Sequence, residues 1–471
     1  MTESRVLFDS VIKNGYCIGC GACASKEESP FKMKMDEYGN IVAYADGDLD
    51  TNTEKVLATC PFSGKSKNEN ELGEEFFPFG GIDDNYIGKH LSCFAGYVKE
   101  GDFRAKGSSG GLGKWVGYKL LETDQIDHFI QLRPNKTGNP DAPLFEYAIF
   151  SDKDVVLSGS RSSYYPVTLD NIVKEIKSRE GRYAITGVPC FIKTVRLLAS
   201  ENDVLKQRIK FTIGIVCGGM KSANQSKMIG WQLGVKPDDL IAIDFRRKYK
   251  DRPASQKIYQ VWSKADSVER YKNANDIYGT DYGAGFFKPK ACDYCDDVVG
   301  ETADISVGDA WLPQFVKDPD GTSIIVVRNP DILKLLTDNE KTGELVLHSV
   351  TAEEVTRSQS GGFRHRRDAL SMRLADRMKE NVWVPEKRVK PNEYEIAPER
   401  IKIYRLREEI AKKSHPAFLK AMNGNNLAIF HKEMNSLVKQ YRVANHGNYL
   451  KRFKKKVENR LNRMFLKPKK K

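Results

Sequence analysis

The stretch "YCIGCGACASKEESP" sets Cys17, Cys20 and Cys23 with two residues between each pair. Three cysteines at C-x2-C-x2-C is an iron–sulfur spacing, whereas structural zinc usually takes two separated cysteine pairs. A bacterial ferredoxin run carries a fourth cysteine, followed by proline, four residues beyond the third. That slot is Glu27 here, and the fourth ligand is instead Cys60 in "VLATCPFSG", with Pro61 after it. The segment between must then fold back on itself. "MKMDE" and "NIVAYA" alternate around Tyr38-Gly39, which predicts a hairpin that returns its flanks to one place. Gly19, Gly21 and Ala22 let the backbone wrap closely and aim amides at sulfur. Cys17, Cys20, Cys23 and Cys60 are thus expected to hold an iron–sulfur cluster, with structural zinc as the alternative.

A second group of four comprises Cys190, Cys217, Cys292 and Cys295. "GRYAITGVPCFIKTVRLLAS" reads as a strand over Tyr183–Thr186, a Gly-Val-Pro turn, and a helix with Ile192, Val195 and Leu198 on one face. Cys190 sits at that turn. "RIKFTIGIVCGGMKS" is a buried strand with Cys217 at its carboxyl end. "KPKACDYCDDVVGETADISVGDAW" supplies Cys292 and Cys295, then a strand at "DISVGD". Strand ends of open α/β sheets are where ligands bind. By spacing alone the group is less specific, a cluster site with core cysteines plus a zinc pair as the alternative. Cys93, the ninth cysteine, reads as a buried small hydrophobe or a cluster-edge residue.

"GDFRAKGSSGGLGKWVGYKLLETDQIDHFIQL" offers different chemistry. Ser108 and Ser109 are expected to cap a helix from about Gly111 to Glu122, with Leu112, Val116 and Leu120 on one face. Gly110 and Gly111 expose amides at its start, a good place for a phosphate, and Arg104 and Lys106 add charge. "SGSRSSYYPVTLDNIVKEI" adds Arg161, Ser162, Ser163 and Tyr164 before a helix from near Thr168. Both stretches suit a phosphorylated cofactor, and both suit ordinary capped helices and polar loops.

The rest of the chain sets limits. Its 471 residues suffice for two or three domains, and 40% hydrophobic with 30% charged content is ordinary for a globular protein. The first residues lack a basic start followed by an apolar run, and no stretch approaches a membrane span, so the cytoplasm is the expected compartment. Thiols stay reduced there, which favours metal ligation over disulfides. Tyr449–Lys471 carries eleven Lys and Arg against one Glu, so +10 of the net charge of +13 belongs to this tail. With no zinc finger, helix-turn-helix or RNA-binding signature, no specific nucleic acid partner is expected. Leu450, Phe453, Val457, Leu461 and Met464 form an apolar stripe in the tail, which suits an anionic membrane surface at the inner face, or packing on the body. No motif supplies a nucleophile or carboxylate pair for hydrolysis. His128 and His365 are available proton donors, and no catalytic residue is assigned.

Taken together, "CIGCGAC" with "TCPFSG", "SSGGLGKWVGYKLLE", "SRSSYYPV", "TGVPCFIKTVRLL", "IGIVCGG" and "CDYCDDVVGETADISVGD" resemble the coenzyme F(420) hydrogenase/dehydrogenase beta-subunit family, which includes hydroxymethyl-chlorophyll reductases. They run in that family's order over about two-thirds of the chain. The resemblance implies an FAD held by the "SSGG" loop, with Arg104, Lys106, Ser108, Ser109, Gly110, Gly111, Arg161, Ser163 and Tyr164 as its binding residues, and one or two [4Fe–4S] clusters. By it, Cys190, Cys217, Cys292 and Cys295 are ligands of an inner cluster nearest the flavin, and Cys17, Cys20, Cys23 and Cys60 of an outer, ferredoxin-type one. Lys290-Ala291 stands where family members often have an arginine, and the long gap before Cys60 is closer to the plant-type reductases.

The function implied is an iron–sulfur flavoprotein reductase joining a one-electron carrier, ferredoxin-like, to a two-electron small-molecule substrate. The alternatives are an electron-transfer subunit exchanging hydride with deazaflavin for a partner enzyme, and a non-enzymatic zinc scaffold. The expected fold is α/β: a ferredoxin-like module over 1–75, a mixed-sheet flavin and second-cluster domain over 85–330, and a helical extension over 331–471. "SQSGGFRHRRDALSMRLADRMKE", in that extension, either covers the active site or lies solvated. Oligomeric state, including a homo-oligomer, is left open.

Overall fold

The computed structural model describes residues 1–50, 53–135, 137–139 and 142–446. The basic tail over 449–471 lies outside the described residues.

Strands β1 (Phe31–Met35) and β2 (Ile41–Ala45) form the expected antiparallel hairpin, with Met35 opposite Ile41. Asp36 builds its turn: one carboxylate oxygen accepts from the amides of Tyr38 at 3.0 Å and Asn40 at 2.7 Å. This is the Asx geometry by which a short acidic side chain stands in for backbone.

The centre is one eight-stranded mixed sheet, as an α/β class requires. Its strands are β3 (Ser92–Val98), β4 (His128–Pro134), β5 (Phe145–Phe150), β6 (Tyr183–Gly187), β7 (Ile209–Ile215), β11 (Ile305–Asp309), β12 (Ser323–Val327) and β13 (Leu345–Ser349), in the order β13-β3-β12-β11-β7-β6-β4-β5. The four inner strands β11, β7, β6 and β4 run parallel, and the outer pairs are antiparallel. Strands β6 and β12 are buried at every position, as their unbroken apolar runs demand when helices cover both faces. A separate antiparallel sheet of β8 (Leu240–Arg247), β9 (Ile258–Ser263) and β10 (Arg270–Asn273) stands beside it.

Two boundaries differ from those expected. The sheet takes β13 from beyond residue 330, because the free edge of β3 pairs with it. The N-terminal segment is not a separate core: Leu7, Val11, Tyr16 and Ile18 share one apolar cluster with Ile130, Tyr183 and Ile185 of the sheet. The segment after β13 is helical, ending in the long pair Pro398–Asn423 and Leu427–His446. Among the described residues no helix is long and apolar enough to cross a membrane.

Candidate functional site

The carboxyl ends of the parallel strands carry the site. Cys190 follows β6 in the first turn of helix Pro189–Ser200, whose Pro189 starts it as sequence predicts. Cys217 lies two residues past β7, and its amide donates to the Val298 carbonyl at 3.0 Å. That bond draws the Cys292–Cys295 loop over the end of β7. The Met220 amide donates to Cys292 Sγ at 3.3 Å and the Gly219 amide to Cys217 Sγ at 3.3 Å. Cys190, Cys217, Cys292 and Cys295 line one small pocket, so strands distant in sequence converge on it.

The first quartet closes in the same way. The Ala43 amide of β2 donates to Cys17 Sγ at 3.4 Å, so the hairpin itself positions that thiol. Gly19 turns there with φ +74°, and a Cβ on it would meet the Ile41 carbonyl oxygen at 2.4 Å. Burial raises the Cys23 thiol well above its ordinary value, and Cys17, Cys20 and Cys60 raise it further. Burial, then Cys295, Cys217 and Cys292, do the same to Cys190. Each quartet thus joins one buried cysteine, Cys20 or Cys292, to three half-buried ones, close enough for their thiols to resist one another's ionisation. A metal removes that conflict, since it takes thiolates and displaces their protons.

The two quartets touch. Ile18 and Phe62, from the first, line the pocket of the second. Cys20 is pushed up to about 11 by burial, and Thr194, beside it, donates its hydroxyl to the Cys190 carbonyl at 2.8 Å. Among the described residues, no three His, Cys, Asp or Glu side chains are grouped so as to hold a single metal ion. A cubane cluster asks for a different shape, with four thiolates standing around a cube rather than converging on one point.

The electrostatics of the second quartet favour an anionic occupant. Arg366 is 2% exposed and lines the pocket, and its Nε and Nη1 have no hydrogen-bond partner. Lys221, also 2% exposed, donates to the Phe286 carbonyl at 2.6 Å, and burial draws it down to about 7. Lys288 and Arg373 share one carboxylate, Asp293. Buried cations exceed buried carboxylates here, which is costly unless a negative group enters. Four cysteinates on an iron–sulfur cluster are such a group. His365 lies beneath, its Nδ1 3.0 Å from Arg373, and burial and the surrounding cations hold it neutral.

Beside the quartets lies the "SSGG" loop, where the serines do not cap the helix. Gly111 does, with φ +91°, and helix Leu112–Glu122 follows. A Cβ on Gly111 would meet the Phe103 carbonyl at 2.7 Å, so local packing already requires glycine. The serines are occupied elsewhere: Ser109 Oγ donates to the Thr322 carbonyl at 2.8 Å, and Ser108 Oγ accepts from the Ser162 amide at 2.8 Å. The Gly110 amide donates to Ser323 Oγ at 3.1 Å. Arg104 bonds the Gly321 carbonyl and Asp318 and lies 3.5 Å over the Tyr97 ring. Lys106 is exposed beside Asp102. Arg161 pairs with Asp244 at 3.5 Å and Ser163 Oγ donates to Ser160 Oγ at 3.0 Å. Tyr164 accepts from Lys257 Nζ at 3.2 Å.

Only Ser108 of these nine lines the pocket at this loop. Its other walls include Arg246, Lys248, Tyr249, Arg252 and Lys257, which sequence reading passed over. The signal was present, since "RRKYKDR" at the end of β8 packs five cations into seven residues. Arg246 holds Asp309 at the end of β11 with two bonds of 2.9 Å and the Ser108 carbonyl with a third of 3.0 Å. Lys248 donates to the carbonyls of Arg104, Ser109 and Asp320. Cations set around a hydroxyl and a glycine turn fit phosphate.

Two leftover residues fall away from this edge. Cys93 is buried in the core on β3, opposite Val326. His128 stands at the amino end of β4, bonded to Ser151 at 2.8 Å.

Two family models match the chain. That for the N-terminal part of the coenzyme F420 hydrogenase/dehydrogenase beta subunit matches residues 93–174, and that for the C terminus of the same subunit matches residues 180–353. The chain belongs to the coenzyme F(420) hydrogenase/dehydrogenase beta-subunit family. The matched span of this family member holds the "SSGG" loop and the second quartet, while the first quartet and Arg366 lie outside it. An uncharacterized protein of Methanocaldococcus jannaschii is 25% identical over 369 residues, spanning 70% of this chain and 88% of that protein. A chain of the F(420)-reducing [NiFe] hydrogenase complex from Methanosarcina barkeri is 14% identical, with a TM-score of 0.49 over 66% of this chain and 100% of that one.

Proposed function

We propose that this beta-subunit family member is an iron–sulfur flavoprotein oxidoreductase that passes electrons between a one-electron carrier of the ferredoxin kind and a two-electron substrate. The observation that carries the reading is the adjacency along one sheet edge of two largely covered cysteine quartets and a cationic pocket. Cys17, Cys20, Cys23 and Cys60 would hold the outer [4Fe–4S] cluster, and Cys190, Cys217, Cys292 and Cys295 the inner one. FAD would lie at the pocket of Ser108, Arg246 and Lys248. When bound, these groups supply one-electron transfer and hydride exchange. The chain's own residues support this reading: amides of Ala43, Gly219 and Met220 meet sulfur, Arg246 ties the loop to β11, and Cys20 and Cys292 are buried.

The test is metal and flavin analysis after purification without oxygen. The reading requires about eight irons, eight labile sulfides and one FAD per chain. Zinc in place of iron would sink it.

The family match favours one further reading, in which the two-electron partner is the deazaflavin coenzyme and the chain serves a larger hydrogenase or dehydrogenase. Reduction of the purified holoprotein by reduced deazaflavin, and not by reduced ferredoxin, would decide for it. The basic tail adds a proposal of peripheral contact with an anionic membrane surface.

A further inference from the structure

Resting on the cluster reading above, we propose that Arg366 sets the direction of electron flow between the two quartets, by holding the inner cluster at a higher reduction potential than the outer one. Arg366 ends the short helix Ser360–Arg366, which includes Gly361-Gly362 and lies against the Cys292–Cys295 loop: a Cβ on Gly362 would meet Val298 at 3.0 Å. The guanidinium is therefore carried into the pocket by a segment outside the matched family span.

Among the described residues no carboxylate lies within ion-pair distance of Arg366, in contrast to Lys288 and Arg373, which share Asp293. Arg366 lines the pocket with Cys190, Cys217, Cys292 and Cys295; burial alone would lower its pKa, and the groups that raise it instead are Cys295, Cys217 and Cys292. Arginine keeps its proton in proteins. A fixed positive charge thus faces the inner ligands with no counterion but them.

The outer quartet is set differently. Lys387 is the cation that faces Cys60, and it is already paired with Asp296 at 3.8 Å. Each quartet also faces a carboxylate, Asp36 at Cys17 and Asp297 at Cys217, so these do not separate the two sites. Reduction adds one electron and no proton to a cluster, so its negative charge grows by one. Arg366 would stabilise that added charge at the inner site, whereas among the described residues the outer cation, Lys387, has its charge already answered by Asp296. With both clusters bound, one electron would leave the outer cluster, which would be oxidised, and the same electron would reduce the inner. The one-electron carrier then restores the outer. Charge and hydrogen bonds near the sulfurs are the means by which a protein tunes cluster potential.

The experiment is an EPR-monitored redox titration of the anaerobic holoprotein, with Cys23→Ala used to assign the outer signal. In wild type the inner cluster should reduce first. Arg366→Gln should weaken inner reduction at least tenfold, about 59 mV for a one-electron couple, and leave the outer midpoint in place. Arg366→Lys should recover most of the shift. Full iron with an unmoved inner midpoint in the Gln variant overturns the proposal, as does an equal movement of both midpoints. If the Gln variant loses inner iron, the Lys variant decides. A retained cluster near the wild-type midpoint supports a charge role, and loss of iron there too shows that shape was required and overturns it. Absence of iron from wild type would overturn the cluster reading itself, and is seen in the iron count before any titration.

Discussion

The rings of Tyr164 and Tyr282 stand 5.5 Å apart between centroids, and this pair joins the cationic pocket to the second quartet. Tyr164 takes a hydrogen bond from Lys257, a wall of the pocket. Tyr282 donates to the carbonyl of Gly219, whose amide meets Cys217. Its ring also fills the space where a Cβ on Gly218 would stand, 2.5 Å away.

Tyr282→Phe should therefore keep the ring contact and lose one hydrogen bond, costing about 1 kcal/mol. Tyr282→Ala removes the bridge. We expect both variants to retain iron and flavin. In rapid mixing with a reduced one-electron carrier, the alanine variant should reduce its flavin about tenfold more slowly. Equal rates in the two variants would show that the ring is no part of the route.

The quartets should separate by mutation. Cys23→Ala should remove about half the iron and leave FAD bound, because its partners are local to the hairpin. Cys292→Ala should remove the other half and weaken FAD, because its partners come from several core strands. Iron and flavin counts on the two proteins check this. Loss of FAD from Cys23→Ala with both clusters intact in Cys292→Ala would refute the grouping.

Gly19→Ala carries a penalty the sequence hints at and the structure makes specific. The positive φ and the 2.4 Å approach to Ile41 leave no room for a methyl group. Strain of this kind costs about 1–3 kcal/mol, and here it would displace β2, whose Ala43 meets Cys17. Iron should fall toward that of Cys23→Ala, with FAD unchanged.

A pH test addresses the helix that starts at Gly111. Lys119, on that helix, is buried among Glu100, Glu122 and Glu344, at 3.2, 2.7 and 2.8 Å. Burial would raise the Glu122 carboxyl, yet hydrogen bonds from Lys119, Lys153 and Tyr118 hold it down to about 2. Its folded value lies below the ordinary 4.5, so the stabilisation is complete above that pH and lost as pH falls toward 2. Lys119→Met leaves three carboxylates facing one another, at a cost of about 3 kcal/mol near neutrality. In urea denaturation, wild type should weaken on acidification below about pH 4.5, whereas the variant should gain as its carboxylates protonate. Parallel slopes would count against the network.

Flotation with anionic liposomes tests the tail, comparing the whole chain with one ending at Asn448. The whole chain alone should float. Equal behaviour of the two would remove the membrane role.

Much of this was legible because it is local. The C-x2-C-x2-C spacing, the hairpin that returns to it, the strand–turn–helix around Cys190 and the helix over Leu112–Glu122 each depend on residues within a few positions of one another. Alternation and 3.6-residue periodicity report such patterns directly. The grouping of cysteines into two quartets was also legible, since the N-terminal run lacks one ligand that Cys60-Pro61 can supply, and the second four fall at strand ends and in one C-x2-C pair.

Three features were decided by tertiary structure alone. Ser108 and Ser109 suit a helix cap by type, but Thr322 and Ser162, far along the chain, engage them first, and Gly111 takes the cap. The cationic wall from Arg246 to Lys257 reaches Ser108 because Arg246 is anchored to Asp309 on another strand. Arg366 reads as one of several cations on a basic helix, and its neighbours in sequence do not distinguish it. Its burial against Cys217 and Cys295 follows from where that helix packs, 71 residues beyond Cys295 in the numbering. A charge gains its meaning from what surrounds it in space, and periodicity carries no record of contacts at such separations.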